Sequence, residues 1–469
     1  MTTSVLPDSS RRRAPVAGSA SALTVLVGAF LCQLDYSVVN VALPAIGTDL
    51  HASPAALQLV VAGYGVAFAM LLVLGGRLGD SFGRRRVFLA GLVGFVLAST
   101  ACGLAPTAGA LIGGRIVQGA AAAALLPQVL ATLQATLDGE RRARALGFYA
   151  ASAGVAIVVG QLLGGVLVSA DVDGTGWRGV FLVNLPIGVA GLLAALRWVP
   201  ETKAAKRAGP DLGGTVLLTL TVLALLLPLT EGRALGWPLW SWLLLATVAP
   251  LAAGFGVVEH RIERSGRTPL IPPSLLRLPG LRIGLPVAAV FFACFSGLLF
   301  GSVVALQTGA GFGPLASGLT FVPLGLAFLV SSLTAARLST RFGRIVMTLG
   351  ALGHALGILG VAVTVLAIGL DAVSPWMLAP AMVLAGLGQG WFVPPLFRAM
   401  LAGVPAAAAG VAGGIVTTTQ QTAIALGVAV LGGLFLAVAD NGYVVSLLAE
   451  ALLVALAGVA TCWLPRKTA

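Results

Sequence analysis

Three ionisable side chains lie inside long apolar stretches of this 469-residue chain, where a charge is energetically costly. Asp35 is near the middle of the first apolar run, Arg115 lies deep in the fourth, and Glu450 lies in the last. A carboxyl group in a low-dielectric environment can take up and release a proton near neutral pH, whereas a guanidinium group stays charged. These residue types predict Asp35 as a proton-coupling site and Arg115 as the residue that modulates its proton affinity.

The same side chains are also compatible with structural roles. Asp35 and Arg115 can form a fixed ion pair, and the glycine and alanine residues around Arg115 would let two helices approach closely. Glu450 shares a helical face with Tyr443 and Ser446, and this polar stripe can contact a cationic substrate or lie between helices. The sequence leaves both alternatives open.

Other polar residues in apolar runs are candidates for a substrate cavity. At about 100° per residue, Gln33, Tyr36 and Asn40 share one helical face, and Asp35 points about 150° away from it. We expect one face to line a transport path and the other to contact a neighbouring helix. Helix–helix hydrogen bonding is the alternative for the amides. The candidate cavity residues are Gln33, Tyr36, Asn40, Gln118, Gln389, Gln420 and Glu450.

The apolar runs that carry these residues need lipid as their solvent. The chain is 58% hydrophobic and 9% charged, whereas charged residues make up about a quarter of a typical soluble domain. Fourteen runs are long enough to cross a bilayer. The sequence therefore predicts an all-α integral membrane protein.

Basic residues concentrate in alternate loops between these runs. With the N-terminus inside, the outside loops hold only Arg178 and Arg233, and the remaining loop clusters of arginine and lysine fall inside. Because Lys and Arg accumulate in cytoplasmic loops, this pattern predicts fourteen spans with both termini in the cytoplasm. Twelve spans is the alternative. The distribution also explains the net charge of +12 without a nucleic-acid partner.

The loop from Gly75 to Arg86 combines an acid, several glycines and four arginines between two apolar runs. It resembles the loop between spans two and three of the major facilitator superfamily, whose pattern is Gly-x-Leu-Ala-Asp-Arg-x-Gly-Arg-Arg. The matching residues are Gly76, Leu78, Asp80, Gly83, Arg84 and Arg85.

Two further segments, Leu34–Pro44 and Trp177–Gly188, resemble segments of the fourteen-span drug:proton antiporters of this superfamily, the EmrB/QacA type. The resemblance covers nearly the whole chain. It implies a monomeric secondary active transporter of the bacterial cell (inner) membrane, without a cofactor. Such a transporter exports hydrophobic or cationic small molecules by proton antiport with alternating access.

In this family, the acid of the Gly75–Arg86 loop pairs with basic groups across the interface between two halves and holds the cytoplasmic side closed. The resemblance therefore implies a cytoplasmic gate, and an ion pair of this kind can act as a bistable latch. The gate residues would be Gly76, Asp80, Gly83, Arg84 and Arg85. A topology anchor is the alternative, although an acid adds nothing to the positive-inside signal.

The loop recurs in the second half of the chain, where Arg337–Arg344 shares five of eight positions with Arg77–Arg84 but has Thr340 in place of the acid. Two six-helix bundles with two inserted helices are the architecture that the resemblance implies. The predicted domains are a cytoplasmic tail (1–21), a first six-helix bundle (22–199), a linker with two extra transmembrane helices (200–282), a second six-helix bundle (283–464) and a cytoplasmic tail (465–469).

One departure from the family concerns the fifth apolar run. Antiporters carry a motif that ends Gly-Pro-x-x-Gly-Gly; here Gly160, Gly164 and Gly165 are present, but Gln161 replaces the proline. A proline bends a helix, and that bend is associated with antiport in the family. We expect these four residues to keep a helix-packing role. A proton-coupled symporter or facilitator for a specific metabolite is the alternative function.

The sequence offers no catalytic or metal-binding cluster. Its four cysteines form no Cys-x-x-Cys pair, its three histidines are far apart, and no Gly-x4-Gly-Lys-Ser/Thr signature for nucleotide binding occurs. A membrane enzyme or a sensor would need such a cluster or a large soluble insertion. We therefore predict a transporter whose partners are protons, a small molecule and the lipid bilayer.

Overall fold

The computed structural model describes residues 15–171, 176–202, 211–232, 235–267, 269–405, 408–438 and 441–464. The helices of the first part are α1 (Pro15–Asp49), α2 (Pro54–Phe82), α3 (Arg84–Gly103), α4 (Ala108–Thr136), α5 (Gly139–Ala170), α6 (Gly179–Leu182) and α7 (Asn184–Trp198). The middle part contains α8 (Leu212–Glu231), α9 (Leu239–Arg264) and the short α10 (Pro273–Leu276). The last part contains α11 (Pro279–Val304), α12 (Pro314–Thr320), α13 (Val322–Phe342), α14 (Ile345–Ile368), α15 (Pro375–Leu401), α16 (Ala409–Ala437) and α17 (Gly442–Ala460).

Within these described ranges, thirteen helical segments are long and apolar enough to cross a membrane. Two of them are interrupted, since α6 and α7 form one segment and α12 and α13 form another. In α5 the apolar stretch is the shorter Val158–Ala170, although the whole helix has 32 residues. The prediction of an all-α membrane protein is confirmed, and the count of fourteen spans stays a prediction.

The helices form two bundles that repeat the same packing. In the first bundle (α1–α7), α4 packs on α2 and α3, and α1 packs on α5 and α7. In the second bundle (α11–α17), α15 packs on α13 and α14, and α11 packs on α16 and α17. The contacts between bundles repeat too, because α5 packs on α12 as α16 packs on α2. The internal repeat in the sequence thus corresponds to a repeated helix arrangement.

Glycine sets the distance between helices at equivalent places in the two bundles. A methyl group on Gly119 of α4 would lie 2.3 Å from the carbonyl oxygen of Tyr64 on α2. A methyl on Gly390 of α15 would lie 2.6 Å from the carbonyl oxygen of Phe328 on α13. Such separations leave no room for a side chain, and they bring the helix backbones into direct van der Waals contact.

Two hydrogen bonds that join the bundles within the described ranges lie towards one end of the molecule, which we call the Asp49 face because α1 ends there. Gln307, after α11, donates from Nε2 to the carbonyl oxygen of Val41 at 3.0 Å, and Gln58 near the start of α2 donates to that of Val428 at 3.4 Å. The opposite end, where α2 ends, we call the Asp80 face.

Helix α8 of the inserted pair covers the seam between α2 and α16. Its residues Val222 and Leu226 form a small buried cluster with Ala425 of α16, and Val66 of α2 packs against this cluster. Helix α9 lies outside α8, and its apolar stretch is almost entirely exposed.

A three-residue strap (residues 269–271) joins the inserted pair to the first bundle. Arg77 of α2 donates from Nη2 to the carbonyl oxygen of Pro269 at 2.6 Å. The amide of Leu270 donates to the carboxylate of Asp211 at 3.3 Å, and that of Ile271 to the carboxylate of Glu259 at 2.8 Å. The strap is therefore hydrogen-bonded to α2 on one side and to the base of α8 and α9 on the other.

Replacement of Gly119 by alanine tests the close approach of α2 and α4. We expect Gly119→Ala to destabilise the fold by about 1–3 kcal/mol, because the added methyl would overlap the Tyr64 backbone. Thermal unfolding of the purified protein in detergent measures the change. Gly113→Ala is the matched control, since Gly113 lies on the same helix and nothing is within 4 Å of its added methyl. Equal effects of the two substitutions would contradict the close-packing interpretation.

Candidate functional site: a buried polar network around Asp35

Asp35 and Arg115 meet in the interior of the first bundle. Arg115 donates from Nη1 to the Asp35 carboxylate, and both side chains are fully buried. Gln118, one turn after Arg115 on α4, connects the two residues a second time. Its Oε1 accepts a hydrogen bond from Arg115 Nη1 at 2.7 Å, and its Nε2 donates to Asp35 Oδ1 at 2.8 Å.

Sequence reasoning missed two members of this network, Asn184 and Ser99. Asn184 donates from Nδ2 to Asp35 Oδ1 at 2.9 Å and to Ser99 Oγ at 3.0 Å. The Ser99 hydroxyl in turn donates to the carbonyl oxygen of Phe181 at 2.9 Å. The available signal was the Trp177–Gly188 segment, in which Phe181 and Asn184 stand three residues apart.

A continuous helical path from α6 to α7 positions Asn184, since Val183 between them has helical φ and ψ of −61° and −26°. Val183 separates the two helices, and Asn184 is the first residue of α7. The preceding turn is anchored to α1, because Trp177 Nε1 and Arg178 Nη1 donate to the carboxylate of Asp49 at 2.9 and 2.6 Å. The segment therefore contacts α1 twice, at Asp49 and at Asp35.

Helix α2 holds the Nε atom and one face of the Arg115 guanidinium group, whereas Nη2 has no hydrogen-bond partner among the described residues. Its Nε donates to the carbonyl oxygen of Val60 at 3.0 Å, and its guanidinium carbon lies 4.3 Å from the centre of the Tyr64 ring. A cation over an aromatic face is stabilised by the ring quadrupole, most strongly where water is excluded. The Tyr64 hydroxyl donates to the carbonyl oxygen of Cys32 at 3.2 Å, which fixes the ring in this position.

The network places one positive and one negative group in contact, with every neighbour of the carboxylate acting as a donor. A buried ion pair withstands its desolvation cost only when further hydrogen bonds satisfy both groups. Here Asp35 Oδ1 accepts from two amides while Oδ2 accepts from Arg115. This arrangement matches an ionised Asp35. Chemically, it can hold a negative charge that is neutralised by Arg115 and that a proton can also neutralise.

Gln118 is one of the predicted cavity residues, and in this structure its side chain is fully buried in the network. Tyr36 and Asn40 are also buried, and Asn40 Nδ2 donates back to the carbonyl oxygen of Tyr36 at 2.8 Å. Gln33 and Gln420 are half-buried, and Gln389 is buried in the second bundle. The cavity role of these residues stays a prediction.

Glu450 on α17 is buried inside the second bundle, whereas a substrate contact was one of its two predicted roles. Its Oε1 accepts a hydrogen bond from Ser446 at 3.1 Å, and a methyl on Gly297 of α11 would lie 2.7 Å from the same oxygen. Ser446 also donates to the carbonyl oxygen of Leu431 on α16 at 3.3 Å. The polar stripe of α17 faces α11 and α16. In this structure Glu450 therefore lies between helices.

The Gly75–Arg86 loop is held together within the first bundle. Asp80 forms an ion pair of 3.2 Å with Arg84, and Arg84 also donates to the carbonyl oxygen of Ala131 at 3.2 Å. Arg85 donates from its side chain to the carbonyl oxygen of Leu196 at 2.6 Å. Gly83 has φ of 108°, a conformation that favours glycine, and it permits the sharp turn between α2 and α3. The ion pair of Asp80 in this structure is thus local and does not cross between the bundles.

The glycines of α5 lie where this helix is packed most closely. Methyl groups on Gly160 and Gly164 would lie 3.2 and 2.8 Å from carbonyl oxygens of α1, and one on Gly165 would lie 2.8 Å from the Cα atom of Leu315 at the start of α12. Gln161 is fully buried, and both polar atoms of its side chain lack a hydrogen-bond partner among the described residues. The α5 surface therefore contacts both bundles through small residues.

Comparisons with known proteins agree on one family. The sequence profile of the Major Facilitator Superfamily matches residues 25–428. A probable actinorhodin transporter of Streptomyces coelicolor is 41% identical over 90% of this chain and 73% of its own length. A puromycin resistance protein of Streptomyces alboniger is 37% identical over 87% of this chain and 80% of its own length. The chain belongs to the Major Facilitator Superfamily. A solved D-xylose–proton symporter shares the fold, with a TM-score of 0.66 at 16% identity over 96% of this chain and 99% of the symporter.

Membership in the superfamily identifies the protein as a multi-pass membrane transporter and confirms the resemblance seen in the Gly75–Arg86 loop. The Asp35 network lies within the first bundle, beside the helices that contact the second bundle. The proton-coupling role of Asp35 and Arg115 stays a prediction.

Removal of Arg115 alone tests whether Asp35 is ionised. We expect Arg115→Met to lower the free energy of unfolding by about 3–5 kcal/mol, because it leaves a buried carboxylate without its charged partner. The double substitution Asp35→Asn with Arg115→Met should recover much of this loss, since no charge remains. Thermal unfolding in detergent compares the two variants. A double variant as unstable as Arg115→Met would contradict an ionised pair.

Proposed function

We propose that this transporter exports antibiotic-like small molecules in exchange for protons. The observation that carries the proposal is the fully buried Asp35–Arg115 pair in a chain related to antibiotic transport and resistance proteins. A tetracenomycin C resistance and export protein of Streptomyces glaucescens is also 33% identical over 87% of this chain. The substrates of these relatives differ, so the class that we propose is a hydrophobic or cationic small molecule.

In this mechanism Asp35 binds a proton in one state of the transporter and releases it in the other. Proton uptake removes the negative charge of Asp35. The positive charge of Arg115 is then no longer neutralised, and it interacts with the polar groups of the surrounding helices. A buried pair responds strongly to this change, because water does not screen it. Helices α1, α2, α4 and α7 all contact the pair, so one proton can alter how four helices pack.

The proposed topology has fourteen spans, with α5 as the fifth, and both termini in the cytoplasm of a bacterial cell membrane. The domain division follows the sequence prediction, with bundles at 22–199 and 283–464 and the linker at 200–282. In this orientation the Asp80 face is cytoplasmic. The hydrogen bonds between bundles at the Asp49 face then support an inward-facing state, in which Asp80 pairs locally with Arg84 and the gate is released.

A second candidate is a proton-coupled symporter or facilitator for a specific metabolite. Gln161 favours it, since this residue replaces the proline whose bend is associated with antiport. Both candidates use the Asp35 network and differ in the direction of substrate movement relative to the proton.

A transport assay with Asp35→Asn tests the main proposal. We expect a pump-deficient bacterial strain that expresses the wild-type protein to gain resistance to at least one compound in a toxic-compound panel. Asp35→Asn should abolish that resistance, and in proteoliposomes it should reduce export driven by a pH gradient at least tenfold. Undiminished gradient-driven export by Asp35→Asn would refute the role of Asp35. Uptake with the proton would favour the symporter.

Substitution of Asp80 separates a gate from a topology anchor. We expect Asp80→Asn to reduce transport severalfold while membrane topology stays unchanged, because the substitution removes an ion-pair partner and leaves the arginines in place. Cysteine accessibility on either side of the membrane reports topology. Ser81→Asn is a matched control at the neighbouring position. Normal transport by Asp80→Asn would reduce the loop to an anchor.

A further inference from the structure

Two amide side chains donate to Asp35, and they are held in different ways. Gln118 is fixed by Arg115, because its Oε1 accepts from the guanidinium group while its Nε2 donates to Asp35. Arginine has donors only, so a turned Gln118 amide would place its NH₂ group against another donor. Gln118 can therefore present only a donor to Asp35 while Arg115 stays in place.

Asn184 has no such constraint. Its Nδ2 donates to Asp35 and to Ser99 Oγ, but its Oδ1 is buried and has no hydrogen-bond partner among the described residues. The Ser99 hydroxyl donates to the carbonyl oxygen of Phe181, and a hydroxyl can rotate to a new acceptor. A turned Asn184 amide would thus find donors in Ser99 and in a protonated Asp35, while its NH₂ group would leave its two present acceptors and take the position that Oδ1 now occupies.

Protonation of Asp35 creates a need for an acceptor. An ionised carboxylate only accepts hydrogen bonds, whereas a carboxylic acid carries one O–H donor. All three side chains that bind Asp35 in the structure present donors to it. A buried donor without an acceptor costs about 1–3 kcal/mol. Of the two amides, only Asn184 can supply the acceptor without losing a bond to Arg115.

We propose that Asn184 is a positioning residue that follows the protonation state of Asp35. Its NH₂ group faces the ionised carboxylate, and its carbonyl oxygen faces the protonated acid, with the Ser99 hydroxyl turning at the same time. This inference rests on the proposed function, in which Asp35 carries the proton.

Charged and titratable groups near Asp35 come from several packed helices. From α5 the titratable group is Tyr149, near Cys32, and on α1 the Tyr36 hydroxyl has no hydrogen-bond partner among the described residues. Arg115 is the charged neighbour from α4, and the titratable neighbours are Tyr64 from α2, Cys102 from α3, and Cys32 and Tyr36 from α1. The Tyr64 hydroxyl donates to Cys32, and the Cys102 thiol lies 3.9 Å from Gln118 Oε1. Neither group forms a hydrogen bond with Asp35 in the structure, so the acceptor is expected from Asn184.

Infrared difference spectroscopy of the full-length protein in lipid nanodiscs tests the turn directly. The carboxylic-acid band of Asp35 is assigned by its loss in Asp35→Asn, and its growth with falling pH gives a midpoint. The chain has three asparagines, Asn40, Asn184 and Asn441, so isotope-labelled asparagine gives an interpretable side-chain carbonyl band. We expect one labelled band, absent in Asn184→Leu, to shift to lower frequency as Asp35 becomes protonated. A labelled band whose frequency stays constant while Asp35 becomes protonated would overturn the proposal.

The midpoint in Asn184→Leu provides a second measurement. We expect it to rise by about one pH unit, because the ionised form loses a charge-assisted hydrogen bond and the protonated form loses a weaker neutral one. Gln128→Leu is the matched control, since Gln128 is a buried amide on α4 that hydrogen-bonds to Gly75 and Ala124 rather than to Asp35. An unchanged midpoint in Asn184→Leu, or an equal rise in the control, would overturn the proposal. Both expected results without proton-dependent transport would support the turn and refute the proposed function instead.

Discussion

The structure of the first bundle depends on the neutralisation of two opposite charges where water is excluded. A buried charge without a partner costs several kcal/mol, so Asp35 and Arg115 require each other and further hydrogen bonds from neighbouring helices. That requirement fixes the rotation of α4 through Gln118 and the position of α2 through the Val60 carbonyl. It also involves α7, since Asn184 at the start of this helix donates to Asp35. The helices thus take their relative positions from a polar centre as well as from apolar packing.

Several residues of the Trp177–Gly188 segment bind to this polar centre or to the end of α1. Trp177 and Arg178 bind Asp49 at the end of α1, Phe181 offers its carbonyl oxygen to Ser99, and Asn184 binds Asp35. A short sequence therefore connects the surface of the bundle to its interior. Because the two ends of the segment bind Asp49 and Asp35, its spacing matches the distance between these two residues along α1.

The sequence was sufficient to predict the class of fold, the pairing of Asp35 with Arg115 and the internal repeat. Hydropathy and charge report which segments contact lipid, and a buried acid and base in one bundle have few partners to choose from. The position of Gln118 was not accessible in this way, since helix periodicity gives the face of a residue but not which neighbour occupies that face. Glu450 is a second example. Helix periodicity predicts the polar stripe on which it lies, but not that α11 and α16 are the neighbours of this stripe. The pairing of Asp80 with Arg84 is a further case, because the sequence alone does not specify which of the nearby arginines an acid contacts.

Helix α8 is attached to the two bundles by different kinds of contact, and this difference affects how it can move. Towards α2 the inserted pair is tied by hydrogen bonds through the strap and Arg77, whereas towards α16 it has the apolar contact with Ala425 and Leu426. A hydrogen bond has one favoured geometry, but apolar surfaces keep much of their contact energy when they slide past each other. Helix α8 is therefore attached to the first bundle by hydrogen bonds and to the second bundle by an apolar contact that can slide. In the proposed alternating-access cycle, α8 would move with the first bundle while its apolar contact with α16 shifts.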